Sequence, residues 1–329
     1  MRNPSASLGL LAVALLLTAC GSTPTSGGNK QYKIGFVYPT LNNPFFVDQE
    51  SGANAAANEF GAKVIHVDGQ NKVDVQTTLV ENFIAQKVDA LIVQPVDTAG
   101  IVAAINESTT AKVPVFTTGE EPNGGTVVTK VVFDETQNGI TAGTFLGQHL
   151  KAGAKVVELQ GILGTETARN RSTGFEKGLA QACSGCTIVA KQPADFDRSK
   201  GLTVMENILH AQPKIDGVYA ANDEMAMGAI KAIQEAGRQS QITLVSNDGI
   251  ADAIAAVKQG QMAATVAIPA YIQGFIAVES AVKHLQGKSV CAKVTEKATL
   301  LTADNVAKAD SLMKAVSAAD RYWESSCYK

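Results

Sequence analysis

Two side-chain amides and two aromatic rings lie together near the start of the chain, in the run NNPFF from Asn42 to Phe46. Aromatic rings pack against the apolar C–H face of a sugar ring, and amides both donate hydrogen bonds to hydroxyl groups and accept hydrogen bonds from them. The same residue types also suit a helix start, since Asn is a favoured cap and proline fits the first helical turn. The run therefore predicts a helix cap followed by two core phenylalanines, a binding site for a polyhydroxylated ligand, or both at once.

Further polar and aromatic side chains follow strand-like segments later in the chain. They are Gln94, Arg169, Arg171, Phe196 within Asp195–Asp197, Asn222 with Asp223, and Asn247 with Asp248. The carboxyl ends of strands are where open α/β sheets bind ligands. An array of these residue types without a nucleophile or a metal cluster favours hydrogen bonding to a polyhydroxylated ligand. Each Asn or Asp could instead cap the helix that follows it.

The sequence lacks the motifs of several classes of function. The histidines, His66, His149, His210 and His284, are scattered without metal-ligand spacing, and neither the common nucleotide-binding motifs nor the common hydrolase motifs occur. The sequence therefore predicts no catalytic residue, no metal site and no cofactor. A net charge of −3 without a long run of Lys or Arg argues against nucleic-acid binding. Hydrophobic residues make up 45% of the chain and charged residues 18%, a balance typical of a packed globule.

Strand-like and helix-like segments alternate regularly after residue 30. The first series of predicted strands is Lys33–Pro39, Ala62–Val67, Asp89–Gln94, Val113–Thr117 and Val127–Phe133. The second series is Ala154–Gln160, Thr187–Gln192, Asp216–Ala220, Ile242–Ser246 and Ala263–Ala267. Nearly continuous apolar strands separated by helices predict parallel sheets covered on both faces. Because ten strands are too many for one modest sheet, we expect two similar α/β lobes.

A single barrel is the competing architecture. It would need a helix between each pair of consecutive parallel strands. The gap between the strands predicted at Val113–Thr117 and Val127–Phe133 is short, polar and rich in glycine. Since this gap is too short for a crossover helix, we interpret it as a passage from one lobe to the other.

The amino terminus has the pattern of an export signal. Arg2 precedes an apolar run from Leu8 to Leu17, and the sequence LTAC ends at Cys20. This order resembles a bacterial lipobox, which implies a signal peptide at residues 1–19, cleavage before Cys20 and lipidation of its thiol. An ordinary secretory signal with a chance cysteine is the alternative. Residues 20–30, rich in Gly, Ser and Thr, are predicted to be a flexible tether. The protein is thus expected in the cell envelope, held to the membrane through its lipid anchor.

Four stretches carry a resemblance to a known family. They are NPFF at 43–46, ELQG at 158–161, QPADFDR at 192–198 and NDEMA at 222–226. They resemble the ribose-binding proteins, which are type I periplasmic binding proteins of sugar ABC transporters, and the similarity extends from about Lys33 to about Leu301. The resemblance implies two Rossmann-like lobes joined by three hinge strands, which close over a sugar that an ABC permease then receives. The implied lobes are residues 31–133 with 269–296, and residues 134–268 with 297–329, in a monomer.

The resemblance also implies a set of ligand-binding residues. They are Asn43, Phe45, Phe46, Gln94, Glu120, Arg171, Phe196, Asn222, Asn247 and Asp248. Gln94 stands where the family carries an asparagine, and a family Asp-Arg pair is replaced by Gly119 and Glu120. A family phenylalanine is replaced by Asn247, and a hinge glutamine by Ile268. Losing a carboxylate and a guanidinium removes charged hydrogen bonds worth roughly 1.5–3 kcal/mol each, so another pentose, a hexose, a sugar alcohol or a cyclitol fits as well as ribose.

Besides Cys20 the chain contains four cysteines, Cys183, Cys186, Cys291 and Cys327. An even number in an oxidising compartment predicts two disulfides with three possible connectivities. Cys183 and Cys186 fall in a predicted helix-to-strand turn and could pair with each other, which leaves Cys291 to pair with Cys327. A thioredoxin-like redox pair is the alternative, but its C-x-x-C should open a helix instead of following one.

The leading hypothesis is a lipid-anchored binding protein that captures a monosaccharide or polyol and delivers it to an ABC permease. A ligand presenter for a chemoreceptor or sensor kinase would look the same in sequence. A transcription regulator would need a helix-turn-helix where residues 1–30 are a signal and tether. An exported carbohydrate-active enzyme should carry paired carboxylates. Asp195, Asp197 and Glu120 are the candidates for such a pair, but Phe196 between the two aspartates favours a binding protein.

Overall fold

The structure is a computed structural model that describes Met1 and residues 31–313. The predicted signal peptide beyond Met1, the lipidation at Cys20, the tether up to residue 30 and Cys327 therefore lie outside the described residues. Within the described part, no helix combines the length and the apolar character that crossing a membrane requires.

Strands and helices alternate through most of the described chain. The strands are β1 Lys33–Tyr38, β2 Lys63–Asp68, β3 Ala90–Val93, β4 Val115–Thr118, β5 Thr129–Phe133, β6 Lys155–Gln160, β7 Thr187–Pro193, β8 Gly217–Ala220, β9 Thr243–Asp248, β10 Ala264–Ala267, β11 Lys293–Glu296 and β12 Thr299–Thr302. The α-helices are α1 Pro44–Phe60, α2 Val73–Ala85, α3 Val102–Thr110, α4 Glu135–Gln148, α5 Glu166–Ala182, α6 Arg198–Ala211, α7 Asp223–Glu235, α8 Ala251–Lys258, α9 Ala270–Leu285 and α10 Ala309–Met313. A short 3₁₀ helix at Val306–Lys308 precedes α10.

The strands form two sheets of six. Their orders are β11-β5-β4-β3-β1-β2 and β12-β10-β9-β8-β6-β7. Every pairing is parallel apart from that of β12 with β10. All ten strands predicted from hydrophobic pattern are present, and the predicted two-sheet α/β architecture is confirmed. The short strands β11 and β12 were missed by this pattern because their sequences, KVTE and TLLT, lack a continuous apolar run.

Within the described residues the chain passes from one sheet to the other three times. The passages follow β5, follow β10, and lie between β11 and β12. The gap between β4 and β5 is not one of these passages, because it joins neighbouring parallel strands of one sheet; its interpretation as a passage from one lobe to the other was wrong. That each sheet and its helices form a separate lobe remains a prediction.

The local structure at the start of α1 follows from its sequence. The Asn43 side chain accepts a hydrogen bond from the backbone N–H of Phe45 at 2.9 Å, and Pro44 is the first helical residue. The helix ends at Gly61, whose φ of 69° is the left-handed conformation that glycine adopts without a steric penalty. The predicted cap and the predicted aromatic pair therefore share one helix start, which fixes where Phe45 and Phe46 lie.

Helices α4 and α5 pack against each other unusually closely. A Cβ atom placed on Gly139 of α4 would lie 2.2 Å from the carbonyl oxygen of Arg171 in α5. A Cβ on Gly174 of α5 would lie 2.1 Å from the carbonyl oxygen of Thr136. Only glycine permits this separation. The close packing brings the first turn of α4 beside Arg171.

The predicted cysteine turn lies between α5 and β7, and a disulfide joins Cys183 to Cys186 there. The pair follows a helix, unlike a thioredoxin-like motif. Cys291 is also disulfide-bonded, and its predicted partner, Cys327, lies outside the described residues.

Glu158 in β6 is a buried carboxylate away from the sheet ends. Its side chain is fully buried, neither carboxylate oxygen accepts a hydrogen bond, and the Nζ atom of Lys191 lies 3.7 Å away. Burial raises the pKa of Glu158 from 4.5 to about 7. Because the folded state then binds this proton more tightly than the unfolded state, the free energy of unfolding should fall as pH rises from about 4.5 to about 7.

We expect Glu158→Gln to remove this part of the pH dependence. At pH 8 the variant should be more stable than the wild type by up to about 3.5 kcal/mol, since the pKa of Glu158 is raised by about 2.5 units and one unit corresponds to about 1.4 kcal/mol. Near pH 4.5 the two proteins should be similar. Denaturant unfolding at both pH values measures the difference, and Glu176→Gln, which alters an exposed partner of the same Lys191, is the control. A difference that does not change with pH would contradict the prediction.

Candidate functional site

A cavity lies between the two sheets, at the carboxyl ends of strands from both. It contains about 650 Å³ of space outside protein atoms, including the part open to solvent. Nine of the ten predicted ligand-binding residues line it. They are Asn43, Phe45, Phe46, Gln94, Glu120, Arg171, Phe196, Asn222 and Asp248. Residues far apart in sequence therefore meet where α/β sheets bind ligands.

Asn247 does not line the cavity, in contrast to the prediction. Its side chain is fully buried, and its amide nitrogen donates a hydrogen bond to the hydroxyl oxygen of Tyr219 at 2.7 Å. Successive residues of a strand point to opposite faces, so Asn247 is directed into the sheet's packing while its neighbour Asp248 reaches the cavity.

Aromatic rings form walls on both sides of the cavity. Phe45 and Phe46 contact each other edge to face, with ring centroids 5.2 Å apart, and both are buried. Phe196 comes from the side of the second sheet, in the loop before α6. Asp195 and Phe196 have φ values of 52° and 59°, a strained conformation for non-glycine residues that is common at binding sites.

Phe196 can occupy its position because residue 161 is glycine. A Cβ atom placed on Gly161 would lie 2.0 Å from the Cζ atom of the Phe196 ring. Any other side chain at position 161 would displace the ring from the cavity. Gly161, which closes the ELQG stretch, therefore positions the aromatic wall.

Arg171 is the centre of a buried charge network on the side of the second sheet. Its Nε and Nη2 atoms donate to the two carboxylate oxygens of Glu135 at 2.7 and 3.0 Å. Its Nη1 atom donates to Asp248 Oδ1 at 2.8 Å and to the carbonyl oxygen of Ala221 at 2.7 Å. The two carboxylates raise the pKa of Arg171 against the opposing effect of burial. The network holds the ends of α4, α5 and β9 together beneath the cavity.

Glu120 comes from the first sheet and contacts the second. It follows β4, and its carboxylate accepts hydrogen bonds from the backbone N–H of Glu166 at 2.7 Å and of Thr167 at 3.3 Å, in the first turn of α5. A carboxylate is favourable there because backbone N–H groups at a helix start lack intrahelical partners. Burial nevertheless raises the pKa of Glu120 to about 7.

A chain of amides fixes the side chain of Gln94. Its Oε1 atom accepts hydrogen bonds from Thr118 Oγ1 at 3.1 Å and from Gln49 Nε2 at 3.3 Å. Gln49 Nε2 also donates to Oε1 of Gln273, which in turn donates to the carbonyl oxygen of Val131 at 3.1 Å. The oxygen of Gln94 is thus occupied by protein donors, and its amide nitrogen is left to donate to a ligand.

The sequence analysis missed several residues that line the cavity, including Glu135, Thr165, Thr167 and Gln273. Glu135 had a usable signal, because it is a polar residue two positions after the end of β5, as Asn222 is two positions after the end of β8. Gln273 gave no such signal. It lies within α9, and only the packing of α9 against the first sheet brings it to the cavity.

Asn222 both lines the cavity and caps a helix. Its Oδ1 atom accepts a hydrogen bond from the backbone N–H of Met225 at 2.9 Å, and its Nδ2 atom lies 3.4 Å from the carbonyl oxygen of Phe196. The two interpretations of this residue are therefore compatible. Substitution by alanine removes the cap as well as the amide.

We expect Asn222→Ala to weaken ligand binding and also to destabilise the fold by about 1 kcal/mol through loss of the cap. Asn222→Ser keeps a capping oxygen but loses the amide nitrogen, so it should weaken binding with a smaller loss of stability. Thermal unfolding and ligand titration of both variants separate the two roles. Unchanged affinity in both would remove Asn222 from the ligand site.

A family profile described as periplasmic binding protein domain matches residues 34–289 of the chain. The chain belongs to the periplasmic binding protein family. The two-sheet architecture is the type I fold of these proteins. As a member of this family, the chain is a binding protein and not an enzyme.

Relatives of this periplasmic binding protein agree with the resemblance found in its sequence. The ribose import binding protein of Bacillus subtilis is 42% identical over 282 residues, covering 84% of this chain and 91% of the relative. The crystal structure of a galactofuranose binding protein matches with a TM-score of 0.81 and 30% identity, covering 86% of this chain and 98% of the other. The Caulobacter myo-inositol binding protein, bound to myo-inositol, matches with a TM-score of 0.80 and 29% identity, covering 85% and 96%.

Proposed function

We propose that the protein captures a monosaccharide or polyol in the cavity between its sheets and delivers it to the permease of an ABC transporter. The relatives support a ligand of this class, since their names give ribose, galactofuranose and myo-inositol. The three ligands differ in ring type and in hydroxyl pattern. The relatives therefore support the class of ligand and not one compound.

One observation carries the proposal. Phe45 and Phe46 from the first sheet and Phe196 from the second line one cavity, whose remaining wall is rich in amides and charged groups. A sugar or polyol has apolar C–H faces that suit the rings and hydroxyls at its edge that suit the polar groups. The amide nitrogens of Asn43 and Gln94 have no hydrogen-bond acceptor among the described residues, so both remain available for ligand hydroxyls.

The mechanism we propose is closure about the three passages between the sheets. Each sheet with its helices would move as one lobe, residues 31–133 with 269–296 against residues 134–268 with 297–329. A ligand that contacts both lobes binds the closed arrangement better than the open one, and so shifts the equilibrium towards closure. The contact of Glu120 with the start of α5 also belongs to the closed arrangement, because it joins residues assigned to different lobes.

A thermal-shift screen of the mature protein tests the proposed function. The protein is first unfolded in guanidinium and refolded, which removes any ligand carried through purification. The panel contains pentoses, hexoses, their alcohols and inositols. At a hundred times its dissociation constant, a ligand should stabilise the fold by about 2.7 kcal/mol. Absence of a shift with every compound would refute the proposed ligand class.

We also propose that Cys20 carries a lipid anchor and that the mature chain contains two disulfides, Cys183–Cys186 and Cys291–Cys327. Cys20→Ala should release the protein from the membrane fraction, and retention of the variant would contradict the anchor. A thiol assay on the unfolded, unreduced mature protein should find no free thiol. Four titratable thiols would contradict both disulfides.

A further inference from the structure

The side chains that line the cavity include more carboxyl groups than cationic groups. Glu120, Glu135 and Asp248 are carboxylates, and Arg171 is the only cation among the lining residues of the described chain. All four are buried, with no more than 6% of any of them exposed. Buried charges of one sign are costly unless an opposite charge lies close to them. With all three carboxyl groups ionised, the lining carries two more negative charges than positive ones, and the raised pKa values of Glu120, about 7, and of Asp248, about 8, mean that protons offset part of this excess in the ligand-free protein.

Arg171 cannot supply the missing charge. Both oxygens of Glu135 receive its hydrogen bonds, and its Nη1 atom is shared between Asp248 and the carbonyl oxygen of Ala221. The guanidinium therefore has little capacity left for a ligand or for Glu120. No cation among the described residues forms an ion pair with Glu120, whose hydrogen bonds come from backbone N–H groups.

Asp248 presents an unsatisfied acceptor to the cavity. One of its oxygens accepts from Arg171, and the other accepts no hydrogen bond from the described residues. Its side chain is only 5% exposed and lines the cavity. Burial raises the pKa of Asp248, as it does that of Glu120. In the ionised form of Asp248, a donor from the ligand supplies the partner that this oxygen lacks.

The charge of Glu120 at the start of α5 also limits which ligands the cavity can bind. A helix start is an attractive site for a ligand anion such as a carboxylate or phosphate. Here Glu120 of the protein already fills that position. An acidic or phosphorylated sugar would therefore meet a like charge instead of free N–H groups, which disfavours sugar acids and sugar phosphates.

We propose that the preferred ligand is an amine-bearing sugar or cyclitol, whose ammonium group lies among Glu120, Glu135 and Asp248. This inference rests on the proposed sugar or polyol site and narrows its ligand class. The ammonium group supplies the opposite charge that the cavity lacks, and its three N–H donors suit carboxylate oxygens. The hydroxyls of the same ligand accept hydrogen bonds from the amide nitrogens of Asn43 and Gln94.

Matched pairs of compounds test the proposal by calorimetric titration of the refolded mature protein. The pairs are glucose and glucosamine, galactose and galactosamine, mannose and mannosamine, sorbitol and its aminodeoxy analogue, and myo-inositol and an aminodeoxyinositol. The N-acetyl derivatives of the three amino hexoses serve as uncharged analogues. In at least one pair we expect the amine to bind about tenfold or more tightly than its hydroxyl counterpart, as charge-assisted hydrogen bonds are stronger than neutral ones.

Glu120→Gln keeps an oxygen for the start of α5 and removes the charge. It should reduce the preference for the amine by about tenfold, the same factor expected for the charged contact. Glu121→Gln is the matched control, since the adjacent Glu121 does not line the cavity and pairs with Lys130 and Lys293. It should leave the preference unchanged.

The outcomes distinguish failure of the proposed amine preference from failure of the proposed sugar or polyol site. Tighter binding of the neutral member in every pair that binds would overturn the inference and leave the sugar or polyol site intact. An equal effect of both glutamate substitutions would also overturn it, because the preference would then reflect overall charge. Absence of binding by every neutral and every amine compound would refute the proposed function itself. The comparison in the wild type decides the inference even if a variant does not fold.

Discussion

Replacement of Arg171 by methionine is expected to lower the free energy of unfolding by about 3–5 kcal/mol, because it leaves buried carboxylates without their cation. Glu135 loses two hydrogen bonds, Asp248 loses one, both lose a compensating charge, and the carbonyl oxygen of Ala221 loses its donor. Methionine fills much of the same volume, so loss of packing contributes little. Denaturant unfolding of the ligand-free protein measures the effect.

A control on the same helix makes the Arg171 result specific. Arg169 is exposed and donates one hydrogen bond, to the carbonyl oxygen of Leu163, so Arg169→Met should change stability by no more than about 0.5 kcal/mol. Combining Arg171→Met with Glu135→Gln and Asp248→Asn should recover part of the loss, since neither former carboxylate partner of residue 171 is then charged. Equal stability of the Arg171 and Arg169 variants would show that the buried network does not form.

The second large effect is expected from Gly161→Ala. The added methyl group would overlap the Phe196 ring, which must then leave the position it occupies in the cavity wall. We expect the ligand dissociation constant to rise about tenfold or more, which corresponds to 1.4 kcal/mol of lost binding free energy. Phe196→Ala should have at least as large an effect, because it removes the ring altogether. Calorimetric titration with the ligand identified by screening measures both.

A double-mutant cycle tests whether Gly161 acts through Phe196. If it does, adding Gly161→Ala to Phe196→Ala should weaken binding no further, since the ring is already absent. Gly124→Ala is the matched control, because the atom nearest to an added Cβ lies 3.4 Å away in ordinary contact. Wild-type affinity in the Gly161 variant would contradict the positioning role. Additive losses in the double variant would do the same.

Much of the architecture could be predicted from local pattern. The ten apolar strands and their alternation with helices determine the α/β class, because apolar runs of this length are stable only when covered on both faces. The cap at Asn43 and the turn at Cys183 follow from short-range rules of helix starts and ends. The hydrophobic pattern did not predict strands β11 and β12, because their pairing partners, and not their own composition, place them in the sheets.

The candidate site could be predicted in part. Residues one or two positions after strands, such as Gln94 and Asn222, reach the cavity because parallel strands bring their carboxyl ends to one edge of a sheet. The same rule wrongly predicted that Asn247 reaches the cavity. Successive side chains of a strand point to opposite faces, and that of Asn247 points into the protein interior. The network of Gln49 with Gln273 has no local signal, since it joins α1 to α9 across a sequence separation of 224 residues.

The sequence alone determined the fold class, the positions of the helix starts and the residue types available at the strand ends. These depend on hydrophobic period and on hydrogen bonds between near neighbours, which the chain order contains. Only the tertiary structure decided that Glu120 meets the start of α5 and that Arg171 is committed to Glu135 and Asp248. Such contacts depend on which distant segments meet and on which side chains they bury, and the order of residues along the chain does not state either.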